Sequence, residues 1–299
     1  MASIQNFFIK LFLKVVIDKK KQINLPVKVT RKSLEKLSGM AKLPQGVKYE
    51  KIDIDGVPVE WCIPDNLKNA GVILYTHGGG YVAGSIRTHR GTTGRLAIAS
   101  KTKCISVEYG LAPENPFPAA LNDVIKVYHF LLKQGYDSKK IVISGDSAGG
   151  GLAVATLLKL RDDNAPQPAA GVLLSPWLDL ELTGQSATTM ASTDPMVVPE
   201  ALREFGLMYT TKDNLRNPLT SPLYANLKGL PPFYIQASSS EVLYDDTTRF
   251  EKKLKEAGVV CNVEYWKNML HVWQAYAPVL PEAQKAINKL GEYIEKKTR

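Results

Sequence analysis

The feature that most constrains this sequence is an alternation of strand-like and helix-like segments that begins near residue 47. Two strand-like segments come first, VKYEKIDIDG and VPVEWCIP, and they are typical of an antiparallel hairpin. Helical stretches separate most of the later strand-like segments, which are GVILYTH, KCISVEY, KIVISGD, AAGVLLSP, PPFYIQAS and CNVEYW. The pattern predicts an α/β fold with a mostly parallel, eight-stranded sheet flanked by helices.

The alternation stops between Leu178 and roughly Asn217. This stretch carries loop signals followed by one or two helical segments, without a strand-like run. Long insertions in compact domains are often functional lids. We therefore interpret the segment as an excursion from the sheet and a candidate lid. In an open α/β sheet the site beneath such a lid lies beyond the carboxyl ends of the strands.

One such strand end carries a serine between glycines, in the sequence ISGDSAGGG at residues 143–151. A strand-like run precedes this serine and the helical segment GLAVATLLKLRD follows it. A turn this tight has no room for bulk two positions either side of its centre, so Gly145 and Gly149 let Ser147 protrude. The G-x-S-x-G pattern is weak alone, but its setting between strand and helix predicts a nucleophilic serine.

A second strand end carries consecutive glycines, in GVILYTHGGGYVAGS. Gly78, Gly79 and Gly80 would offer backbone N–H groups without obstructing side chains, which suits an oxygen that gains negative charge. The same stretch fits a dinucleotide-binding fingerprint, with Ala83 at its last position and Glu108 ending the next strand. That alternative needs a helix that opens at the glycines, whereas YVAGSIRTHRGTTG delays any helix.

The chain has four histidines that could serve Ser147 as a base. His77 belongs to the glycine loop, His129 lies within a predicted helix and His89 lies in SIRTHRG, so each has an adequate structural interpretation. His271 follows the strand CNVEYW and a short loop, which places it at the same sheet edge as Ser147. We therefore predict that His271 is the catalytic base.

A carboxylate should hold the imidazole in the required tautomer. Glu241 lies just after the strand PPFYIQAS, where an orienting acid is expected. Asp245 remains the alternative, although a carboxylate in the first turn of a helix already has a structural role through the helix dipole. The order Ser147, Glu241, His271 is the order of triad residues in α/β-hydrolases.

Eight motifs resemble those of the hormone-sensitive lipase family of bacterial-type esterases, from about residue 40 to the end of the chain. They are HGGGYVAGS, YGLAPENPFPAAL, GDSAGGG, LSPWLDL, DPMV, SPLYANLKGLPP, EVLYDD and HVWQAY. The resemblance implies an α/β-hydrolase fold that cleaves short- to medium-chain acyl esters without a cofactor or metal. It also implies a helical cap, residues 1–45 and 178–217, over a catalytic domain of residues 46–177 and 218–299.

The motif positions extend the predicted site beyond the catalytic Ser147, Glu241 and His271. The resemblance implies an oxyanion hole and residues that support it, and the insert and glycine loop supply a candidate apolar pocket. The residues are Gly79, Gly80 and Ala148 for the oxyanion hole, His77, Gly78 and Asp146 for its support, and Tyr81, Met208 and Tyr209 for the substrate pocket.

The sequence departs from the family pattern at two positions. Glu241 stands where most members have aspartate, and its longer side chain must reach the same imidazole. Gly110, in YGLAPE, stands where the family usually has an arginine. Whatever that arginine stabilises must be replaced or lost.

Charge and cysteine content bear on partners and location. The net charge is +9, but the lysines are scattered and many lie beside glutamates, which indicates a solvated surface rather than a nucleic-acid site. Cys62, Cys104 and Cys261 form no C-x-x-C pair and are predicted to be buried, reduced thiols of a cytoplasmic protein. The expected partner is a small-molecule ester, and a homodimer is compatible with the sequence.

The N-terminal stretch NFFIKLFLKVVIDKKK is interrupted by lysines and lacks a cleavage site, so it predicts neither a signal peptide nor a membrane span. We expect no stable membrane anchor. A helix that packs on the rest of the protein is the favoured interpretation, and an interfacial membrane helix is the alternative. The apolar residues on its one face are Phe8, Leu11, Phe12, Val15 and Val16.

Together these residues predict a serine carboxylesterase that works through an acyl-enzyme intermediate. Two alternatives stay open at this point. The first is a deacetylase or amidase that acts on a specific acetylated metabolite, because the same triad serves both reactions. The second is a small-molecule receptor on the same scaffold that has lost its chemistry, since fold does not fix function.

Overall fold

A computed structural model of the protein describes residues 3–16, 23, 25–39 and 42–299. One eight-stranded sheet forms its centre, in the order β1-β2-β4-β3-β5-β6-β7-β8. The strands are β1 (Val47–Ile54), β2 (Val57–Pro64), β3 (Val72–Thr76), β4 (Lys103–Val107), β5 (Ile141–Asp146), β6 (Ala170–Leu174), β7 (Phe233–Ser238) and β8 (Cys261–Trp266).

The first two strands form the predicted hairpin and the rest of the sheet is mainly parallel. β1 pairs antiparallel with β2, and Asp55 and Gly56 make the connecting turn with positive φ at both residues, as a two-residue hairpin requires. β2 also pairs antiparallel with β4, and every other neighbouring pair is parallel. The predicted fold class, a mostly parallel eight-stranded α/β sheet, is confirmed.

Helices cover both faces of the sheet. Leu96 on one helix and Leu290 on the C-terminal helix pack in one buried cluster with Ile73 of β3, whereas Leu152 and Phe250 belong to the cluster on the opposite face. The helices are α1 (Ile4–Val16), α2 (Val27–Gly39), α3 (Ile86–Ser100), α4 (Ala119–Lys133), α5 (Ala148–Asp162), α6 (Ser186–Thr189), α7 (Pro199–Tyr209), α8 (Tyr244–Glu256) and α9 (Pro281–Thr298).

The excursion predicted from the lapse in alternation lies between β6 and β7. It contains α6 and α7 and short 3-10 turns, with no strand in this part of the described chain. Pro199 begins α7 at a position where its missing N–H is not needed. The division into a cap and a catalytic domain stays a prediction.

The N-terminal helix α1 does not pack by the face that its sequence pattern indicates. Phe8, Leu11, Phe12 and Val15 are between 49% and 79% exposed, so the prediction that they pack on the protein is wrong. The side chain of Val16 lies outside the described part of the chain. The packed face instead carries Leu13, because the contacts of α1 are set by the loop on which it rests.

All three cysteines lie in strands, but the prediction that all three are buried is wrong for Cys261. Cys62 and Cys104 are directly opposite each other on β2 and β4 and fully buried, whereas Cys261 at the start of β8 is partly exposed. All three are free thiols. Among the described residues, no helix combines the length and apolar character that crossing a membrane requires.

Candidate active site

Ser147 occupies a sharp turn between β5, which ends at Asp146, and α5, which begins at Ala148. Its φ of 51° and ψ of −122° are unfavourable for a residue with a side chain, so surrounding contacts must hold it there. Its N–H donates to the carbonyl oxygen of Leu174 at the end of β6, at 2.9 Å. A side chain at position 149 would collide with the carbonyl oxygen of Thr76, which explains the glycine in the motif.

The structure brings the three predicted catalytic side chains together. His271 Nε2 lies 2.9 Å from Ser147 Oγ, and His271 Nδ1 lies 2.7 Å from Glu241 Oε2. The other oxygen of Glu241 accepts a hydrogen bond from the N–H of Ser238 at 2.9 Å, which fixes the carboxylate. Ser147 and His271 are nearly buried and Glu241 is fully buried. This is the geometry of a serine nucleophile, its base and an orienting acid.

The environment of His271 favours its charged form. Burial lowers the pKa of this imidazole, but the hydrogen bond and the negative charge of Glu241 raise it, and the net result lies above the ordinary value of 6.5. An imidazole with a raised pKa accepts the serine proton more readily. The longer side chain of Glu241 keeps its carboxylate within hydrogen-bond distance of the imidazole, at 2.7 Å.

Asp245, the alternative acid, has a different partner. Its carboxylate accepts a hydrogen bond from the N–H of Ser186 at 2.9 Å, and its own N–H donates to Ser186 Oγ at 3.0 Å. These bonds tie the start of α8 to α6 in the excursion. The carboxylate at His271 is that of Glu241.

The glycine loop follows β3 and turns tightly beside the nucleophile elbow. Gly79 has φ of 122° and Gly80 has φ of 66°, a region that residues with side chains avoid. The carbonyl oxygen of Gly79 accepts hydrogen bonds from the N–H groups of Val82 and Ala83, at 3.2 and 2.9 Å. Ala148 is the first residue of α5, where backbone N–H groups have no partner within the helix. That the N–H groups of Gly79, Gly80 and Ala148 form an oxyanion hole stays a prediction.

Asp146, one of the predicted supporting residues, joins the glycine loop to the elbow. Its Oδ1 accepts hydrogen bonds from the N–H of Gly78 at 3.1 Å and from the hydroxyl of Tyr75 at 2.7 Å. Its Oδ2 lies 3.3 Å from Nε2 of His89. Burial raises the pKa of Asp146, but the charge and hydrogen bond of His89 and the Tyr75 bond outweigh it, so the pKa is lowered. His89 thus holds the Asp146 carboxylate that joins the glycine loop to the elbow, and the sequence did not indicate this contact.

His77 is a buried member of the same support. Burial lowers its pKa to about 3, so the ring is neutral. The ring stacks on Tyr109 with centroids 4.2 Å apart, and its Nδ1 lies 2.8 Å from the carbonyl oxygen of Gly78. We find a packing role for His77 that holds the glycine loop in place.

The predicted pocket residues lie between the glycine loop and α7. Tyr81 and Tyr209 are buried and stacked on each other, with centroids 3.8 Å apart, and Met208 is partly buried. Their contact with substrate stays a prediction. Phe205 of α7 lies against Gly80, where a Cβ atom would be 2.6 Å from its ring. The sequence alone did not single out Phe205, because its position depends on how the excursion folds over the loop.

Asp194 is a second residue that sequence reasoning passed over as part of DPMV. It is buried, and its Oδ2 accepts a hydrogen bond from the N–H of Val242 at 3.0 Å, directly after Glu241. Its Oδ1 accepts from the N–H groups of Met196 and Val197 at 2.9 and 3.1 Å. The excursion is thereby tied to the loop that carries Glu241.

Gly110 stands where the family usually has an arginine, and its backbone lies close to Asp123 and Asn115. The N–H of Gly110 donates to Asp123 at 2.9 Å, and a Cβ atom at Gly110 would lie 2.9 Å from Asn115. A guanidinium does reach this loop from α2, because Arg31 donates to the carbonyl oxygen of Ala112 at 2.9 Å.

Within the described residues, no group of three or more His, Cys, Asp or Glu side chains could hold a metal ion.

Comparison with known proteins agrees with this geometry. A family model described as alpha/beta hydrolase fold matches residues 73–275. An acetyl-hydrolase of Streptomyces hygroscopicus is 37% identical over 273 residues, which are 91% of this chain and 90% of that protein.

Solved structures resemble the whole chain. The esterase EstE5, in crystals soaked with p-nitrophenyl butyrate, superposes with a TM-score of 0.95 at 38% identity and covers 99% of both chains. An esterase described as a member of the bacterial hormone-sensitive lipase family has a TM-score of 0.93 at 40% identity and covers 100% of both chains.

Proposed function

The chain belongs to the hormone-sensitive lipase family of α/β-hydrolases and is a carboxylic ester hydrolase, and from that premise we propose which residues carry its reaction. Ser147 is the nucleophile, His271 the general base and acid, and Glu241 the orienting acid. The observation that supports this most directly is the continuous chain of contacts from Glu241 through His271 to Ser147, at 2.7 and 2.9 Å.

The reaction has two steps. Ser147 Oγ attacks the ester carbonyl carbon while His271 Nε2 takes the hydroxyl proton. The tetrahedral intermediate collapses, the bond to the alcohol breaks, and His271 passes its proton to the leaving oxygen. A water molecule then attacks the acyl-enzyme, again giving a proton to His271, which returns it to Ser147 as the acid departs. Glu241 stabilises the imidazolium that forms in each step.

The N–H groups of Gly79, Gly80 and Ala148 stabilise the negative oxygen of both tetrahedral intermediates in this proposal. They carry no side chain, or only a methyl group, that would keep the substrate away. Loss of one such donor typically costs about 10²–10³ in rate. The support of this loop by Asp146 and His77 is therefore part of the catalytic geometry.

Replacement of the nucleophile tests the proposal. We expect Ser147→Ala to lower kcat for p-nitrophenyl butyrate by about 10⁴–10⁶-fold, because the variant lacks the hydroxyl that forms the acyl-enzyme. Ser144→Ala is the matched control, since Ser144 is buried on β5, the strand that leads to Ser147, and its hydroxyl has no partner among the described residues. Equal rates for Ser147→Ala and wild type would refute the assignment.

The same variants separate an enzyme from a receptor. An organophosphonate should add one phosphonyl group to wild type and to Ser144→Ala, and none to Ser147→Ala, as read by mass spectrometry. A wild-type protein that stays unlabelled would favour the receptor.

We propose short- to medium-chain acyl esters as substrates. Phe205 lies over Gly80, and the partly buried Met208 lies on the same helix, so apolar side chains would limit the depth of the acyl site. Across p-nitrophenyl esters from acetyl to palmitoyl, kcat/KM should peak among the shorter chains. Phe205→Ala should move the peak toward longer chains, whereas Leu207→Ala, which is exposed on the same helix, should not. An unchanged profile for Phe205→Ala would contradict this pocket.

Acetyl esters or acetylated metabolites form the second candidate class, because one relative at 37% identity is an acetyl-hydrolase. An acetyl-specific enzyme would lose activity sharply from acetyl to butyryl esters, and an amidase would cleave the matching anilide at a comparable rate. We further propose a cytoplasmic location, which the three free thiols support. The partner that we propose is a small-molecule ester.

A further inference from the structure

Helix α1 turns a wide apolar face away from the protein. Six of its apolar side chains are between 49% and 79% exposed, and their spacing of three and four residues places them in one stripe along the helix. They are Ile4, Phe7, Phe8, Leu11, Phe12 and Val15, which we call the outer stripe.

The opposite, narrower face attaches α1 to the loop that leads to His271. Asn6 donates through Nδ2 to the carbonyl oxygen of Asn268 at 3.0 Å, and Lys10 Nζ donates to Asn268 Oδ1 at 2.7 Å. Leu13 is 2% exposed and packs in a cluster with Met269. The helix is therefore anchored by specific contacts in an orientation that leaves the outer stripe in solvent.

This orientation is the reverse of that found on ordinary surface helices, which turn the apolar stripe to the core and charged residues outward. An exposed patch of six large apolar side chains marks a contact site for another apolar phase or protein. The charges around the outer stripe indicate which kind of partner could cover it.

The surroundings of the outer stripe are basic. Lys10 and Lys14 are the charged residues of α1, which carries no acidic residue. A groove of about 960 Å³ runs beside the helix, and Lys267 and Lys285 also line it. Glu282 is the carboxylate in this lining. Positive charge thus borders the apolar stripe along the groove.

A second copy of the chain fits this face poorly. A symmetric contact through the outer stripe would bring the basic borders of two copies together, each with the exposed Lys14. An anionic lipid surface suits both features, because acyl chains receive the apolar side chains and headgroups receive the lysines. Such binding is reversible for one short helix, and it needs no membrane span.

We propose that α1 is an interfacial helix that docks this enzyme on anionic lipid surfaces through the outer stripe and its bordering lysines. The helix rests on residues 268–270, immediately before His271, so docking brings the loop of the catalytic base toward the surface. Esters dissolved in the lipid would then reach the site without crossing bulk water. Docking itself does not depend on the proposed catalytic roles.

The experiment is co-sedimentation of the purified full chain with vesicles of phosphatidylcholine, with and without phosphatidylglycerol. The test variant is Phe8→Gln/Phe12→Gln, and the matched control is Val260→Gln/Val279→Gln, at two exposed apolar positions outside α1. Ser147→Ala is included to separate docking from catalysis. Circular dichroism and thermal unfolding verify that each variant is folded.

Wild type, the control and Ser147→Ala should bind the anionic vesicles, with binding weakened by omission of phosphatidylglycerol or by high salt. The test variant should bind at least about tenfold more weakly, because two aromatic side chains no longer enter the lipid. Failure of wild type to bind, or equal binding by the test variant, would overturn the proposal. So would a wild-type dimer in light scattering that becomes a monomer in the test variant, since the occupant would then be a second copy.

Discussion

Glu241 shows how one side chain can meet two requirements at once. One of its carboxylate oxygens holds His271 at 2.7 Å, and the other accepts the N–H of Ser238 at 2.9 Å. The backbone bond fixes the carboxylate, and the fixed carboxylate selects the imidazole tautomer with its proton on Nδ1. The extra methylene relative to aspartate is accommodated because the side chain folds back on its own loop.

The charge of Glu241 should be visible in the pH dependence of the rate. In the proposed mechanism His271 must be neutral to accept a proton, so kcat/KM should fall as the pH drops below the imidazole pKa, which Glu241 raises. In Glu241→Gln burial remains and the carboxylate is lost. The acid limb should therefore move to lower pH, and the rate should fall by about 10⁴-fold. pH profiles of kcat/KM measure both effects.

Glu241→Asp is the control for that prediction. It retains the negative charge but shortens the side chain, so it should lose rate while its acid limb stays nearer to that of wild type. An acid limb in Glu241→Gln at the wild-type position would show that another group sets the limb.

The site residues that follow strands could be predicted from the sequence, whereas those in the excursion could not. Ser147, Glu241 and His271 each come just after a strand, and parallel strands bring their carboxyl ends to one edge. Asp194 and Phe205 belong to the excursion, whose path over the sheet has no periodic signal. Their contacts with Val242 and Gly80 depend on how the excursion folds over the sheet.

At the scale of elements, Arg31 links α2 to the glycine loop. Its Nε donates to the carbonyl oxygen of Val82 at 2.7 Å and its Nη2 donates to that of Ala112 at 2.9 Å. It also forms an ion pair with Glu114, but the side chain of Glu114 is half exposed. The two bonds to carbonyl oxygens should matter more than the ion pair, because water screens exposed charges.

Truncation of Arg31 tests this link. We expect Arg31→Ala to lower the free energy of unfolding by about 1–3 kcal/mol, since both carbonyl oxygens lose a charged donor. Glu114→Gln should cost less than about 1 kcal/mol, because it removes only an exposed ion pair. Urea unfolding of both variants provides the values. A larger cost for Glu114→Gln than for Arg31→Ala would show that the ion pair carries the link.

The orientation of α1 shows what periodicity cannot give. The pattern predicts an amphipathic helix at this position, and the structure has one over Ile4–Val16. It does not say which face meets the protein, because the contact face is chosen by Asn268 and Met269, far away in sequence. An apolar stripe shows that a helix has a face suited to burial, but it does not show that the rest of the same chain covers that face.

At the scale of the whole molecule, buried carboxylates join distant parts of the fold. Asp246 in the first turn of α8 is 2% exposed, and its Oδ2 accepts the N–H groups of Leu178 and Asp179 at 2.7 and 3.0 Å. The start of the excursion is thus fixed to the helix that follows β7. Burial, with the nearby charge of Asp179, raises the pKa of Asp246 to about 8.

This raised pKa should make the stability of the molecule depend on pH. Between about pH 4, where an unfolded aspartate titrates, and about pH 8, the folded state holds a proton that the unfolded state has lost. Stability from this group therefore falls as the pH rises, by about 1.4 kcal/mol per pH unit. Asp246→Asn keeps an acceptor oxygen for both N–H groups and removes the titration. Its free energy of unfolding, from urea denaturation across this range, should fall less steeply than that of wild type.

Asp213→Asn is the control, because it removes an exposed negative charge. Parallel curves for wild type and Asp246→Asn would show that Asp246 is ionised in the folded protein.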